Sequence, residues 1–132
     1  MRMGMHAVGA FSGFAVRDVE RARAFYSDTL GLAVSDDRGG LRIDLPGDPE
    51  TAPSSVFVYG KPDHEPAVFT ILNFVATDID TAVDELAAAG VPTLRYEGFE
   101  QDDRGIARDP RGPAIAWFTD PSGNILAVVQ PD

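Results

Sequence analysis

A stretch of about twenty residues occurs twice in this chain, and a chain assembled from two copies of one unit has few folds open to it. Phe11–Gly31 reads FSGFAVRDVERARAFYSDTLG, and sixty residues further on Ile71–Gly90 reads ILNFVATDIDTAVDELAAAG. Under that shift Phe14 meets Phe74, Asp18 meets Asp78 and Ala22 meets Ala82, while Val19 and Glu20 meet Ile79 and Asp80. In both copies an apolar run reaches an Asp, and the hydrophobic period then changes from two to about 3.6, the passage from strand to helix. The Asp stands at the N-cap, where its carboxylate accepts the free N–H groups of the first turn. A Gly closes each copy, the residue preferred just past a helix C-terminus.

Around these two copies the remaining text falls into the same order twice. The first half predicts a strand over Val8–Val16, a helix over Val19–Leu30, a hairpin of Leu32–Ser35 and Leu41–Leu45 about the turn Asp36–Gly40, and a strand over Ser55–Tyr59. Its helix turns Val19, Ala22, Phe25, Tyr26 and Leu30 to one side and Glu20, Arg21, Arg23 and Asp28 to the other. Pro46–Pro53 reads as a polar loop, and Gly60–Ala67 (GKPDHEPA), rich in breakers, as the linker between halves. The second half predicts strands over Val68–Ala76, Val91–Tyr96, Ala114–Phe118 and Ile125–Gln130, with a helix over Ile79–Ala89. Gly98–Gly112 is a long charged stretch that reads as a functional or mobile loop, with Gly105-Ile106 as an apolar tip for a cavity mouth. Each half is βαβββ, module one over 8–60 and module two over 68–130, within a single domain of 132 residues.

Composition narrows the chemistry. The chain has no cysteine, which removes disulfides, thiolate metal sites and a Cys nucleophile, and makes a reducing cytoplasm the expected location. A formal charge of −10 argues against nucleic acid and acidic lipid as partners. No apolar run approaches the roughly 20 residues of a membrane span, and the first residues lack the apolar core of a signal peptide. No GxGxxG after a strand, P-loop or GxSxG elbow is present.

Two tandem βαβββ units, the DVERARAFYSDTLGL start and FTDPSGN before a final strand resemble the vicinal oxygen chelate superfamily. That group holds glyoxalase I, extradiol dioxygenases, fosfomycin-inactivating enzymes and bleomycin-resistance proteins. The resemblance covers roughly residues 8–130 and implies an α+β fold whose two mixed sheets curl into a cup. It also implies a homodimer, with the ligand cavity at or near the subunit contact.

In the family's enzymes the cup holds a divalent metal. One His lies seven positions before the capping Asp of each module, and these positions hold Phe11 and Ile71 here. A Glu follows the Asn of DPxGN by three residues, and here it is Ala127. The remaining ligand belongs on the fourth strand, where only Val56, Phe57, Val58 and Tyr59 are offered. A divalent ion needs converging His, Asp or Glu donors, so the expected cofactor is none.

Strand alternation then predicts an apolar floor shared by Phe11, Ile71 and Ala127, with Gly13 and Val75 beside them and Asn73 as its polar exception. Tyr59 and Trp117 are the expected walls, with Tyr96 a further aromatic candidate. The two histidines, His6 and His64, lie outside the floor. His64, within Asp63-His64-Glu65, reads either as part of a solvated connection or as a ligand contact folded over the rim. The expected activity is metal-independent binding of a small molecule by sequestration. Alternatives are a metal-dependent lyase or dioxygenase, or a metal-free enzyme using Tyr59, Asp102 or His64 as acid or base.

Overall fold

Both helices start as the repeat requires. Asp18 and Asp78 sit in extended backbone, and their carboxylates accept N–H groups of the first turn, from Glu20 and Arg21 in one case and Thr81 in the other. The hydrogen bonds are 3.0 to 3.2 Å long, and Gly31 and Gly90 take up left-handed backbone beyond the helix ends. The computed structural model describes residues 4–6, 9–47, 54–108, 110 and 112–131. Within them run β1 (Ser12–Val16), α1 (Val19–Ala24), β2 (Ala33–Asp37), β3 (Gly40–Asp44), β4 (Ser55–Gly60), β5 (Thr70–Val75), α2 (Ile79–Ala88), β6 (Ala107–Arg108), β7 (Ala114–Thr119) and β8 (Ile125–Gln130). The sheets have matching orders, β1-β4-β3-β2 and β5-β8-β7-β6, each with one parallel pair at its edge and antiparallel ladders beyond. This is the α+β fold of two tandem βαβββ units that the sequence predicts.

Several bounds differ. The first strand begins at Ser12, and the position expected to open it, Val8, lies outside the described residues, as does most of the loop expected at 46–53. The first helix does not run on regularly to Leu30. Its last turn, Phe25–Thr29, is π-helical, with Leu30 N–H donating to the Phe25 carbonyl at 2.9 Å. A π turn makes room for one extra residue, and here it sets the buried Tyr26 between Phe14 and Phe25, ring centroids 5.9 and 5.2 Å away.

Val91–Tyr96 forms no strand, although its residues alternate in the right way. Leu94 N–H donates to the Trp117 carbonyl, and Tyr96 N–H donates to the side chain of Gln101 instead of a neighbouring strand. The sheet edge is taken by Ala107–Arg108, from inside the charged stretch expected to be loose. That stretch is stapled: Asp102 Oδ1 accepts from Arg104 and Ile106 N–H, and Gln101 Nε2 donates to the carbonyls of Leu94 and Gly105. Ile106, the expected cavity tip, is buried with Ile79 and Val83 beneath α2.

Each sheet turns one face toward a common core. Val16, Leu41, Ile43, Val56 and Val58 of the first sheet meet Phe118 and Leu126 of the second, with Tyr26 between. Phe14 packs against Tyr26 of the π turn, and Phe74 stands opposite Val128, which packs with Ile79 and Val83 of α2, so both repeated phenylalanines sit on the helix side of their sheets. The opposite faces carry Gly13, Ala15, Phe57 and Tyr59 in one sheet and Asn73, Val75, Trp117 and Ala127 in the other.

One carboxylate joins the halves. Asp120, opening the turn before β8, is 4% exposed. Its Oδ1 accepts from the N–H groups of Ser122 and Asn124, and its Oδ2 from Tyr26 Oη at 2.7 Å and Asn124 Nδ2 at 2.9 Å. Asn124 Nδ2 also donates to the Ala15 carbonyl of β1 at 2.9 Å, and Ser122 Oγ accepts from Arg17 N–H. Replacing Asp120 by Ala strands several buried donors at once, so Asp120→Ala should cost at least about 3 kcal/mol in urea unfolding. A loss below about 1 kcal/mol would mean that the network carries little of the fold.

Burial, with the adjoining Asp120 charge, pushes the Tyr26 phenol far above its ordinary range. A group whose folded pKa is raised contributes stability that is complete below its unfolded value, about 10, and is lost as pH climbs beyond it. Tyr26 should therefore ionise only together with unfolding. In an alkaline absorbance titration, Tyr26→Phe should lack the tyrosinate step that accompanies unfolding; ionisation of Tyr26 in a still-folded chain would contradict this environment.

Candidate functional site

The residues expected to form one floor occupy three different environments. Phe11, 75% exposed, stands just before β1 at the edge of a depression of about 250 Å³ on the first sheet. Asp37, Arg38, Arg42, Ser55 and Phe57 also line it. Tyr59, 43% exposed, lies along the same face with its ring stacked near that of Phe57, centroids 6.0 Å apart and planes 19° off parallel. These aromatic side chains make the open face of module one.

Ile71 leaves the floor altogether. The β5–β8 ladder pairs Thr70 with Ile125 and then Leu72 with Leu126, so Ile71 is the extra residue of a β-bulge. A bulge breaks the period of two, and Ile71 packs against the central core instead. Alternation resumes at Asn73, which stands opposite Ala127. Asn73 is exposed, at a crevice of about 170 Å³ beside Leu45, Pro46 and Ser54, so it bears no burial penalty.

Ala127 is fully buried and Trp117 nearly so, because the chain itself covers this part of the second sheet. The segment after α2 lays Tyr96 edge-on to the Trp117 ring at 5.1 Å and Phe99 tilted against it, also at 5.1 Å. Phe99 remains 56% exposed on the outside of this cluster. The depression at Phe11 and the crevice at Asn73 are separate, and neither is lined by Trp117 or Ala127.

His64 is neither solvated nor at a rim. It is 7% exposed, and its Nε2–H donates to Asn124 Oδ1 at 3.0 Å, while Arg17 donates to its carbonyl at 2.8 Å. Both histidine expectations fail for one reason: the breaker-rich linker turns back on itself, with His64 N–H donating to the Lys61 carbonyl, and delivers the ring to the Asp120 turn. Asp102 is similarly occupied as the cap of its own turn. Burial raises its pKa, but the N–H groups of Ile106 and Arg104 and the guanidinium groups of Arg108 and Arg104 outweigh that and hold it low. His64, Asp102 and Tyr59 thus serve three separate places and form no acid–base pair.

The metal positions of the superfamily do not suit an ion. Phe11, Ile71 and Ala127 carry no donor atom, and among the described residues no three His, Asp or Glu side chains gather as ligands. Residues missed by sequence reasoning are Arg38, Arg42 and Phe57 in the depression and Phe99 over Trp117. Arg38 left a signal: DDRGG puts Arg where a two-residue hairpin turn prefers Asn or Asp.

No helix among the described residues is long and apolar enough to cross a membrane. No curated protein matches the chain in sequence. Solved structures do resemble it. An antibiotic binding protein, TnmS3, from Streptomyces sp. CB03234 superposes with a TM-score of 0.62 at 25% identity, over 97% of this chain and 100% of that one. A glyoxalase/bleomycin resistance protein from the same Streptomyces gives 0.58 at 26% identity, over 92% and 100%. A member of the superfamily from Sphaerobacter thermophilus gives 0.64 at 22% identity, over 93% and 98%. The family pattern described as Glyoxalase/Bleomycin resistance protein/Dioxygenase superfamily matches residues 6–128, and the chain belongs to that superfamily.

Proposed function

We infer that the protein is a metal-independent small-molecule-binding protein of the glyoxalase/bleomycin-resistance type, acting by sequestration. The observation that carries this is the chemistry of Phe11, Ile71 and Ala127, three side chains without a donor at the superfamily's ligand positions. Aromatic surface stands in their stead: Phe57 and Tyr59 on one open face, and Phe99 above Trp117 on the other. Such surface holds an apolar ligand by removing it from water and offering ring faces to its rings. The antibiotic-binding neighbour at 25% identity supports the same choice.

The binding unit is a homodimer. Each chain leaves Phe11, Tyr59, Phe69 and Val75 exposed, and Val75 is 76% exposed on the uncovered face of β5. A second copy laid so that its module two meets the first sheet buries these residues and closes the depression at Phe11 into a cavity.

Two measurements test this. After dialysis against chelator and then Zn²⁺, Ni²⁺, Mn²⁺ or Fe²⁺, elemental analysis should find no stoichiometric metal. One chelator-resistant ion per chain would establish a metalloenzyme reading instead. In thermal unfolding, a panel of aromatic antibiotics including bleomycin should contain members that stabilise the metal-free protein, by about 2.7 kcal/mol at a hundred times Kd. Stabilisation that appears only with added metal would overturn sequestration.

Sedimentation equilibrium should find a dimer at micromolar concentration, and Val75→Asp should shift it to monomer without loss of secondary structure. A monomeric wild type would refute the shared cavity.

A further inference from the structure

The depression beside Phe11 has a charge balance that the chain as a whole does not share. Acidic residues outnumber basic ones by 21 to 11. Yet of the three charged side chains lining this depression two are positive, Arg38 and Arg42, and one is negative, Asp37, and even with Asp44, which pairs with Arg42, the local sum is zero where the chain's is −10. At physiological ionic strength the Debye length is about 8 Å, so a ligand seated here feels these groups before the carboxylates elsewhere on the chain.

The sheet register arranges the parts. Gly13 stands opposite Phe57 on one side and Arg42 opposite it on the other, so three neighbouring strands present a vacant position, a ring and a guanidinium on one face. Phe57 lies close over the hairpin, where a Cβ at Gly40 would come 3.3 Å from its ring atoms. Arg42 Nε pairs with Asp44 at 3.0 Å, and Arg38 Nε stands 3.8 Å from Asp37. Among the described residues the closest approach in both pairs is through Nε, and the terminal amino groups of the two guanidiniums make no hydrogen bond to an acidic side chain.

Arg38 is held in an unusual place. It and Gly39 form the two-residue turn between β2 and β3, and both have positive φ, 50° and 82°. Turns of this kind select Asn, Asp or Gly, because other side chains crowd their own backbone there. Strain of this sort persists where a residue serves something besides the fold.

The geometry points to a subsite for an aryl anion: a flat aromatic ring bearing a carboxylate or sulfonate. The ring packs against Phe57 and Phe11, and the anionic group takes the free donors of Arg38 and Arg42, which suit a planar two-oxygen acceptor. At about 250 Å³ the depression lies just below the usual range for drug-sized ligands, so it takes the charged end of a larger molecule or a small aryl acid whole. This assignment deepens the binding reading above and rests on it.

Calorimetric titration of the full chain with 2-naphthoate, 2-naphthylmethanol and 2-naphthylmethylammonium tests the charge preference. Naphthoate should bind roughly tenfold or more tightly than the alcohol, as expected for a charge-assisted hydrogen bond. Arg42→Gln and Arg38→Asn should each bring naphthoate close to the alcohol. Arg38→Asn should at the same time raise Tm, by about 3 °C, because Asn suits the left-handed turn. A purely structural Arg38 would lower Tm when replaced. Equal affinities for the three probes, or arginine variants that bind naphthoate like wild type, would overturn the anion assignment. No binding of any probe would overturn the subsite itself. The antibiotic panel on metal-free protein does not depend on these arginines, so either failure leaves that reading to its own test.

Discussion

A carboxylate buried without a cation is costly unless hydrogen bonds replace water on both its oxygens. Asp120 meets that condition with donors from its own turn and from Tyr26, and the requirement organises the molecule. Tyr26 comes from the π-helical turn that follows α1, so the helical segment of module one is tied to the last turn of module two. Asn124, held by Asp120, reaches the Ala15 carbonyl and receives His64, so the first strand and the linker join the same knot. The π-helical turn belongs to this constraint as well, for it carries Tyr26 at its second position. A neutral Asn in place of Asp120 would lack one of the acceptor oxygens that the surrounding donors need.

With the helix-side faces of both sheets committed to a common core, the opposite faces take no part in it. In this chain they are aromatic and aliphatic where the enzymes of the superfamily place ligands for a metal. The two faces also differ. Module one keeps its face open, with Phe57 and Tyr59 in line, whereas module two covers its own with Tyr96 and Phe99. The cover is anchored by Gln101, whose side chain spans Leu94, Tyr96 and Gly105. Module one is thus the half whose aromatic face stays uncovered within the chain.

Electrostatics act on two scales. The charge of −10 keeps the surface acidic, and much of it is local structure: Asp80, Asp84 and Asp102 hold Arg104 and Arg108, and through them the edge strand β6, against α2. Such exposed pairs contribute little individually. Beside the aromatic rings of module one stand two guanidinium groups, those of Arg38 and Arg42, which net charge does not reveal.

What the sequence determined by itself was whatever depends on near neighbours in the chain. The duplicated strand-to-helix unit, the capping roles of Asp18 and Asp78, the hairpin about Asp36–Gly40 and the strands around the DPSGN turn all rest on periodicity and on hydrogen bonds within a few residues. The absence of donors at positions 11, 71 and 127 was equally legible, since no fold gives Phe, Ile or Ala a ligating atom. Tertiary structure decided the rest. Val91–Tyr96 has a strand's alternation but no free strand edge, and β6 formed where one was available. Ile71 left the floor because the partner strand β8 is one residue shorter across the bulge. His64 was buried by Asn124, sixty residues away, and the covering of Ala127 by Tyr96 and Phe99 required a segment with no period of its own. In each case the deciding contact joins residues far apart in the chain, and a linear pattern carries no record of which distant group will arrive.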